Sequence, residues 1–165
     1  MSLTNFELIT LCQFYNISLN GVYMKDELPS KNIIGNYIIN LDSSSGGGTH
    51  WCCFIETPKN ECLYFDSFGC VPPEEVSKFI RGKYGFNNWI IQDLSSHNCG
   101  FFCLGLLNHI KNDISNGSIY DKANNYINLF KSNTKLNDTL LKQYFSTFLK
   151  PYKNCDILIK KLLKK

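Results

Sequence analysis

No stretch of this chain approaches the ~18 continuous apolar residues that a membrane-spanning helix needs. Met1 to Leu11 lacks a charged segment followed by a long apolar run, so no secretory leader is expected either. Charge is scarce as well: 19% of residues are charged and the net charge is +3, too little by itself to announce a nucleic-acid binder. Also missing is the paired C-x2-C spacing that marks a structural zinc site, although eight cysteines are present. Cys52 and Cys53 are adjacent and would point to opposite faces of a strand, so they cannot readily hold one ion together. A disulfide framework would need an oxidising compartment, for which the sequence carries no signal. We therefore expect reduced and mostly buried thiols, no metal or cofactor, no membrane partner, and a soluble protein made in a cytosolic compartment.

What is present is an ordinary globular balance. The 165 residues are 44% hydrophobic, which fits one domain over residues 1–165 with a single core. Thr4 and Glu7 have capping-box spacing ahead of a stripe of Phe6, Ile9 and Cys12, which predicts a helix from Asn5 to Phe14. Asn20-Gly21 is a turn signal, and the β-rich run from Lys31 to Leu41 reads as a strand. A small-residue loop, Ser43 to Gly48, precedes a buried strand, Trp51 to Ile55. A hairpin turn around Pro58 then leads to a returning strand, Cys62 to Phe65. Pro72-Pro73 opens a helix carrying Val76, Phe79 and Ile80 on one side, and Trp89 to Gln92 reads as a short strand. Cys99 to Ile110 is apolar nearly all round and predicts a central buried helix. Helical segments near Ile119 to Phe130 and Leu136 to Leu149 complete an α+β domain with a central mixed β-sheet.

Three segments place chemically capable groups at the ends of apolar elements. His50 sits at the mouth of a strand, where it can act as a general base or simply be a hydrogen-bonded strand-end histidine. Asp66 ends the strand that should pair with the His50 strand, so it can orient the imidazole or merely shape an Asx-turn. Cys99 begins the apolar helix, where the dipole and free amides lower a thiol's pKa and can receive a developing negative oxygen. The alternative for Cys99 is a structural thiol, a role that suits Cys103 better, and Gly100 should leave the backbone beside the thiol unobstructed. His97 reads as an exposed turn residue and His109 as a core residue.

Taken in the order His, Asp, Gln, Cys, the segments resemble one family. Gly-Gly-Thr-His-Trp at 47–51, Tyr-Phe-Asp-Ser-Phe-Gly at 64–69 and Gln-x6-Cys-Gly-x-Phe-Cys at 92–103 are similar to the adenovirus proteinases. Their wider clan includes the SUMO-deconjugating proteases, and relatives occur in virophages, large DNA viruses and Maverick-type elements. The segment Leu19 to Pro29 is similar too, so the likeness runs from about Leu19 to Leu107.

The resemblance implies an adenovirus-proteinase-like fold and a cysteine endopeptidase with Cys99 as nucleophile, His50 as base and Asp66 as third member. Gln92 and the Cys99 backbone N–H would form the oxyanion hole. Trp51, Gly47 and Gly48 would line a narrow channel for the substrate backbone, which restricts cleavage to glycine-containing sequences. The implied substrates are viral capsid and other structural precursors cut during particle maturation, in the host cytoplasm and in the virion. The rivals are a deconjugase of SUMO- or ubiquitin-like proteins and an inactive relative serving as a DNA-binding capsid component. Asp66 stands where adenovirus enzymes have Glu and matches the deconjugating branch. No cysteine lies between Cys70 and Cys99, where the adenovirus enzyme is tethered to its activating peptide, so the likeness does not extend to that disulfide. Lys150, Lys153, Lys160, Lys161, Lys164 and Lys165, interleaved with Ile157, Leu158 and Leu162, read first as an amphipathic helix. Their second reading is a patch binding DNA without regard to base sequence.

Overall fold

The computed structural model describes residues 2–148, so the lysine-rich segment from Lys150 onward lies outside the described residues. Five helices (α1 Asn5–Phe14, α2 Glu74–Ile80, α3 Cys99–Asn112, α4 Ile119–Ile127, α5 Asn137–Phe148) accompany five strands: β1 Gly21–Met24, β2 Gly35–Asn40, β3 Trp51–Glu56, β4 Cys62–Phe65 and β5 Gly85–Phe86. The strands form one mixed sheet in sequence order, with β1 parallel to β2, β3 antiparallel to both neighbours, and β5 parallel to β4. This is a mixed α and β architecture of the kind the sequence predicts.

The sheet is covered on both faces. On one side, Ile38, Cys53, Ile55, Leu63 and Phe65 pack against α1, α3, α4 and α5; on the other, Tyr37, Ile39, Cys52, Phe54 and Tyr64 pack against α2. Double coverage explains why β3 is an unbroken apolar run rather than an alternating one. It also puts Cys52 and Cys53 into separate cores, as strand alternation requires. All seven described cysteines are free thiols. Among the described residues no helix is long and apolar enough to cross a membrane.

Several local expectations need correction. Helix α1 forms where expected, with Thr4 and Glu7 making a complete capping box, but it buries Leu8, Leu11 and Cys12 while Phe6 and Ile9 are exposed. Strand β2 begins only at Gly35. The preceding carbonyls of Ile33 and Ile34 accept from the Asn20 side chain (3.2 and 3.1 Å), which leaves both isoleucines at the surface. Asn20 therefore braces another segment, and Gly21 opens β1 rather than closing a turn. Residues 89–92 form no strand. Their place beside β4 is taken by Gly85–Phe86, while Ile91 N and Gln92 N both donate to the Ser67 carbonyl (2.9 and 3.0 Å).

Gly100 is not beside open space. A Cβ there would stand 3.3 Å from Leu3, Leu8 and Trp51, so the missing side chain lets α3 sit close under α1 and β3. Helix α3 is the central element that its composition predicts, with every residue from Cys99 to Asn108 buried. Tyr126 of α4 donates to the Phe102 carbonyl at 3.0 Å and locks α4 onto it.

Candidate active site

The candidate residues come from four pieces of chain that the sheet and α3 bring to one edge. His50 immediately precedes β3, and Asp66 immediately follows β4. These strands pair with Cys53 opposite Phe65, so continuing the ladder by one step puts Cys52, not His50, across from Asp66. His50 lies two residues further along on the same face and reaches the carboxylate diagonally, as long side chains can. The result is a hydrogen bond of 2.7 Å between His50 Nε2 and Asp66 Oδ1. With Nε2 committed, Nδ1 is the ring atom available to a thiol.

Asp66 is rigidly held. Its Oδ1 also accepts from Phe68 N (2.7 Å), and its backbone N–H and C=O are clamped by the side-chain amide of Asn87 (2.9 and 2.6 Å). The turn closes with Gly69 N donating to Asp66 O (2.8 Å), Gly69 taking φ +71 where a Cβ would press on the Trp89 backbone. The Asx-turn and the imidazole contact are thus one carboxylate making both bonds. Phe68, delivered by the same turn, stacks on the His50 ring with centroids 4.6 Å apart.

Cys99 is the first residue of α3 and only 3% exposed. Asn98, at the helix start, makes no side-chain cap, so no capping side chain consumes the first-turn amides. Burial alone would push the Cys99 thiol up. The His50 hydrogen bond, the backbone amides of Trp51 and Gly100 and the imidazolium charge outweigh it and hold the thiol below its ordinary value. Burial likewise opposes charging of His50, but hydrogen bonds with Asp66, Cys52 and Cys99 raise it well above the usual imidazole range. Both shifts favour a thiolate–imidazolium pair.

Gln92 is buried and oriented without ambiguity. Its Nε2 donates to the Ser96 carbonyl (2.9 Å), which can only accept, so Oε1 must be the atom that receives the Ser67 hydroxyl at 2.6 Å. One Nε2 hydrogen then remains for the cleft of about 230 Å3 that Gln92 lines together with Cys99, His50 and Phe68. His97 is exposed at the rim of the same cleft, as its neighbours suggest. His109 is half-buried against Tyr126 and Tyr144, so the core role expected of it is met only in part. Trp51, Gly47 and Gly48 all line an adjoining hollow; Trp51 is itself buried, its indole N–H donating to the Leu3 carbonyl at 2.8 Å.

No family model and no curated protein matches this chain.

Three supporting residues escape a reading of the sequence: Cys52, Ser67 and Asn87. Alternation along β3 places 50 and 52 on one face, which is the signal for Cys52; Asn87 has none, being fixed only by the tertiary fold. His50, Cys52 and Asp66 offer nitrogen, sulfur and oxygen atoms within 4.8 Å of one another, the donor set a transition metal takes. Burial pushes the Cys52 thiol up to about 12, and Asp66 Oδ1 already receives two hydrogen bonds. In that state Cys52 is a neutral thiol packed beside the oriented imidazole.

Ser67 gives a direct check on Gln92. Ser67→Ala removes the hydroxyl that fixes the amide while leaving the backbone carbonyl used by Ile91 and Gln92. If Gln92 stabilises an oxyanion, turnover falls by about tenfold with KM little changed, a fraction of the ~10²–10³ lost when a donor is deleted outright. Steady-state kinetics of Ser67→Ala and Gln92→Ala, measured side by side, separate orientation from loss of the donor.

Proposed function

We propose that this protein is a thiol endopeptidase of the adenovirus-proteinase type, cutting viral structural precursors at glycine-containing sites during particle maturation in the host cytoplasm and in the virion. The observation that carries the reading is the convergence of Cys99, His50 and Gln92 on one cleft, with Asp66 hydrogen-bonded behind the imidazole. In this reading Cys99 Sγ attacks the scissile carbonyl carbon, and the negative oxygen is received by Gln92 Nε2 and the Cys99 backbone N–H. His50 gives its proton to the departing amine as the C–N bond breaks, leaving a thioester on Cys99. Neutral His50 then takes a proton from water as it attacks, and the acid and the thiolate are released. Every step uses protein groups and water. Incubating candidate capsid proteins with wild type and with Cys99→Ala, followed by mass spectrometry, tests this: new termini should appear only with wild type.

Substrate width is the second test. Trp51 and the Gly46–Gly48 loop stand together along the hollow that adjoins the thiol cleft. A peptide panel in which the residue before the scissile bond is Gly, Val or Phe should show a preference for Gly of about tenfold or more, the scale of a single side chain that cannot be accommodated. Equal rates would remove the narrow channel from the reading.

A second reading uses the same chemistry on an isopeptide joining a SUMO- or ubiquitin-like protein to its target. It is favoured by the apolar surface of Trp89, Ile90 and Leu94 on the segment leading to Cys99, with Leu94 81% exposed at the cleft. Cleavage of such a conjugate, lost in Leu94→Glu while short-peptide cleavage persists, would select it. The third sequence expectation, DNA binding through the C-terminal lysines, falls outside the described residues.

A further inference from the structure

Beside the thiol cleft lies a hollow of about 440 Å3, walled by the N-terminal segment from Ser2 to Asn5, the Gly46–Gly48 loop, Trp51 and Asn40. Ser2 lines both hollows, so they lie side by side with a shared wall. Asn40 ends β2 and is only 2% exposed. Its Oδ1 accepts from Asp42 N at 3.0 Å and Thr49 N at 3.1 Å. Because both partners are donors, the oxygen must face them, and the amide's orientation is fixed. The NH2 end has no acceptor among the described residues and keeps access to solvent where Asn40 lines the hollow, so an incoming acceptor can meet it without displacing a protein partner. Gly48 keeps the approach open: it has φ +83, and a Cβ on it would stand 3.2 Å from Asn40 Nδ2. Glu27 is the charged side chain lining this hollow, which disfavours an anion and leaves a neutral acceptor as the fitting partner.

We propose that Asn40 is a substrate-binding residue whose Nδ2 donates to a backbone carbonyl oxygen of an extended peptide, lying between the Gly46–Gly48 loop and the N-terminal segment on the glycine side of the scissile bond. The identity of the ligand rests on the thiol-protease reading; the pre-oriented donor and its open approach do not. An extended peptide presents a carbonyl to each side in turn, and side-chain-free loop glycines let its backbone come near enough to receive the bond. Asn40 thereby acts remotely from the bond that breaks, through binding rather than chemistry.

The test uses two fluorogenic amides that both end in glycine before the reporter: one a single acylated glycine, the other a four-residue peptide. Asn40→Asp keeps Oδ1 for Asp42 and Thr49 but turns the donor into an acceptor, and Gly48→Ala obstructs the approach. In each variant the ratio of kcat/KM for the long substrate to that for the short one should fall by about tenfold, chiefly through KM. An unchanged ratio in Asn40→Asp overturns the proposal. Failure of the protease reading looks different: wild type hydrolyses neither amide although iodoacetamide modifies Cys99. Even then, fluorescence anisotropy with the labelled four-residue peptide decides the contact, since equal Kd for wild type and Asn40→Asp overturns it and about tenfold weaker binding supports it.

Discussion

In the proposed mechanism, replacing Cys99 with alanine should abolish peptide cleavage, a loss of about 10⁴-fold or more, because the nucleophile would belong to a unit whose members fail together. The discriminating comparison is Cys103, one turn further into α3. Cys103 is completely buried, its Sγ 3.4 Å from the Trp51 carbonyl, and burial raises its thiol well above the ordinary range. Iodoacetamide reacts with thiolates, so at neutral pH it should modify Cys99 first and leave Cys103 untouched. Cys103→Ser should keep most of the activity, and any cost should appear in the melting temperature. The pH dependence then separates two events. Alkylation needs only the thiolate, so its rate should climb through Cys99's lowered pKa and stay high. Cleavage also needs the His50 proton for the leaving amine, so its rate should climb with alkylation and fall again once pH passes the raised value of His50. A cleaving Cys99→Ala variant, measured by liquid chromatography of a peptide substrate, would end the thiol mechanism.

The parts of this arrangement that were legible in the sequence are those governed by local rules. The capping box fixed the start of α1, alternation separated Cys52 from Cys53, and an all-round apolar run marked α3. What escaped depends on partners distant in sequence. The side of α1 that is buried follows from where α3 lies: Leu8 is buried while Phe6 and Ile9 are exposed, and Gly100 lets α3 approach Leu8 closely. The Trp89 to Gln92 segment has β-forming residues, but its amides are spent on the Ser67 carbonyl and on positioning Gln92. Beyond Leu107 the sequence carries nothing diagnostic, yet that region braces the candidate site. Asn137 donates to the Ile91 carbonyl, Asp138 accepts from Ser96, and Thr134 donates to Asp93, so the segment entering α5 grips the stretch from Ile91 to Ser96. Such cross-braces are polar side-chain bonds between remote segments, and no periodicity announces them.

Asp66→Asn should lower turnover by about 10²-fold while leaving the fold intact, less than the ~10⁴ lost where the same change imposes the wrong histidine tautomer. The reason is specific to the geometry. Asp66 Oδ1 accepts from both His50 Nε2 and Phe68 N, so an asparagine oxygen can take the same place and satisfy the same two donors. The tautomer and the turn are thereby preserved, and what disappears is the negative charge. With burial opposing the imidazolium, the Asp66 hydrogen bond is the largest of the influences that raise His50. Without the carboxylate charge, His50 holds its proton less well, and the alkaline limb of the cleavage profile should move to lower pH. Cys99 loses part of the cation that holds its thiol down, so the acid limb should move to higher pH, and the profile narrows from both sides. Alkylation of Cys99 at neutral pH should slow in parallel, since less of the thiol is ionised. Asp66→Ala should do more damage, because it leaves the imidazole and the Phe68 amide without an acceptor at a buried position. A pH profile of Asp66→Asn superimposable on that of wild type would show that a different group supports the imidazole, and Cys52, across the ladder from Asp66, would be the first to examine.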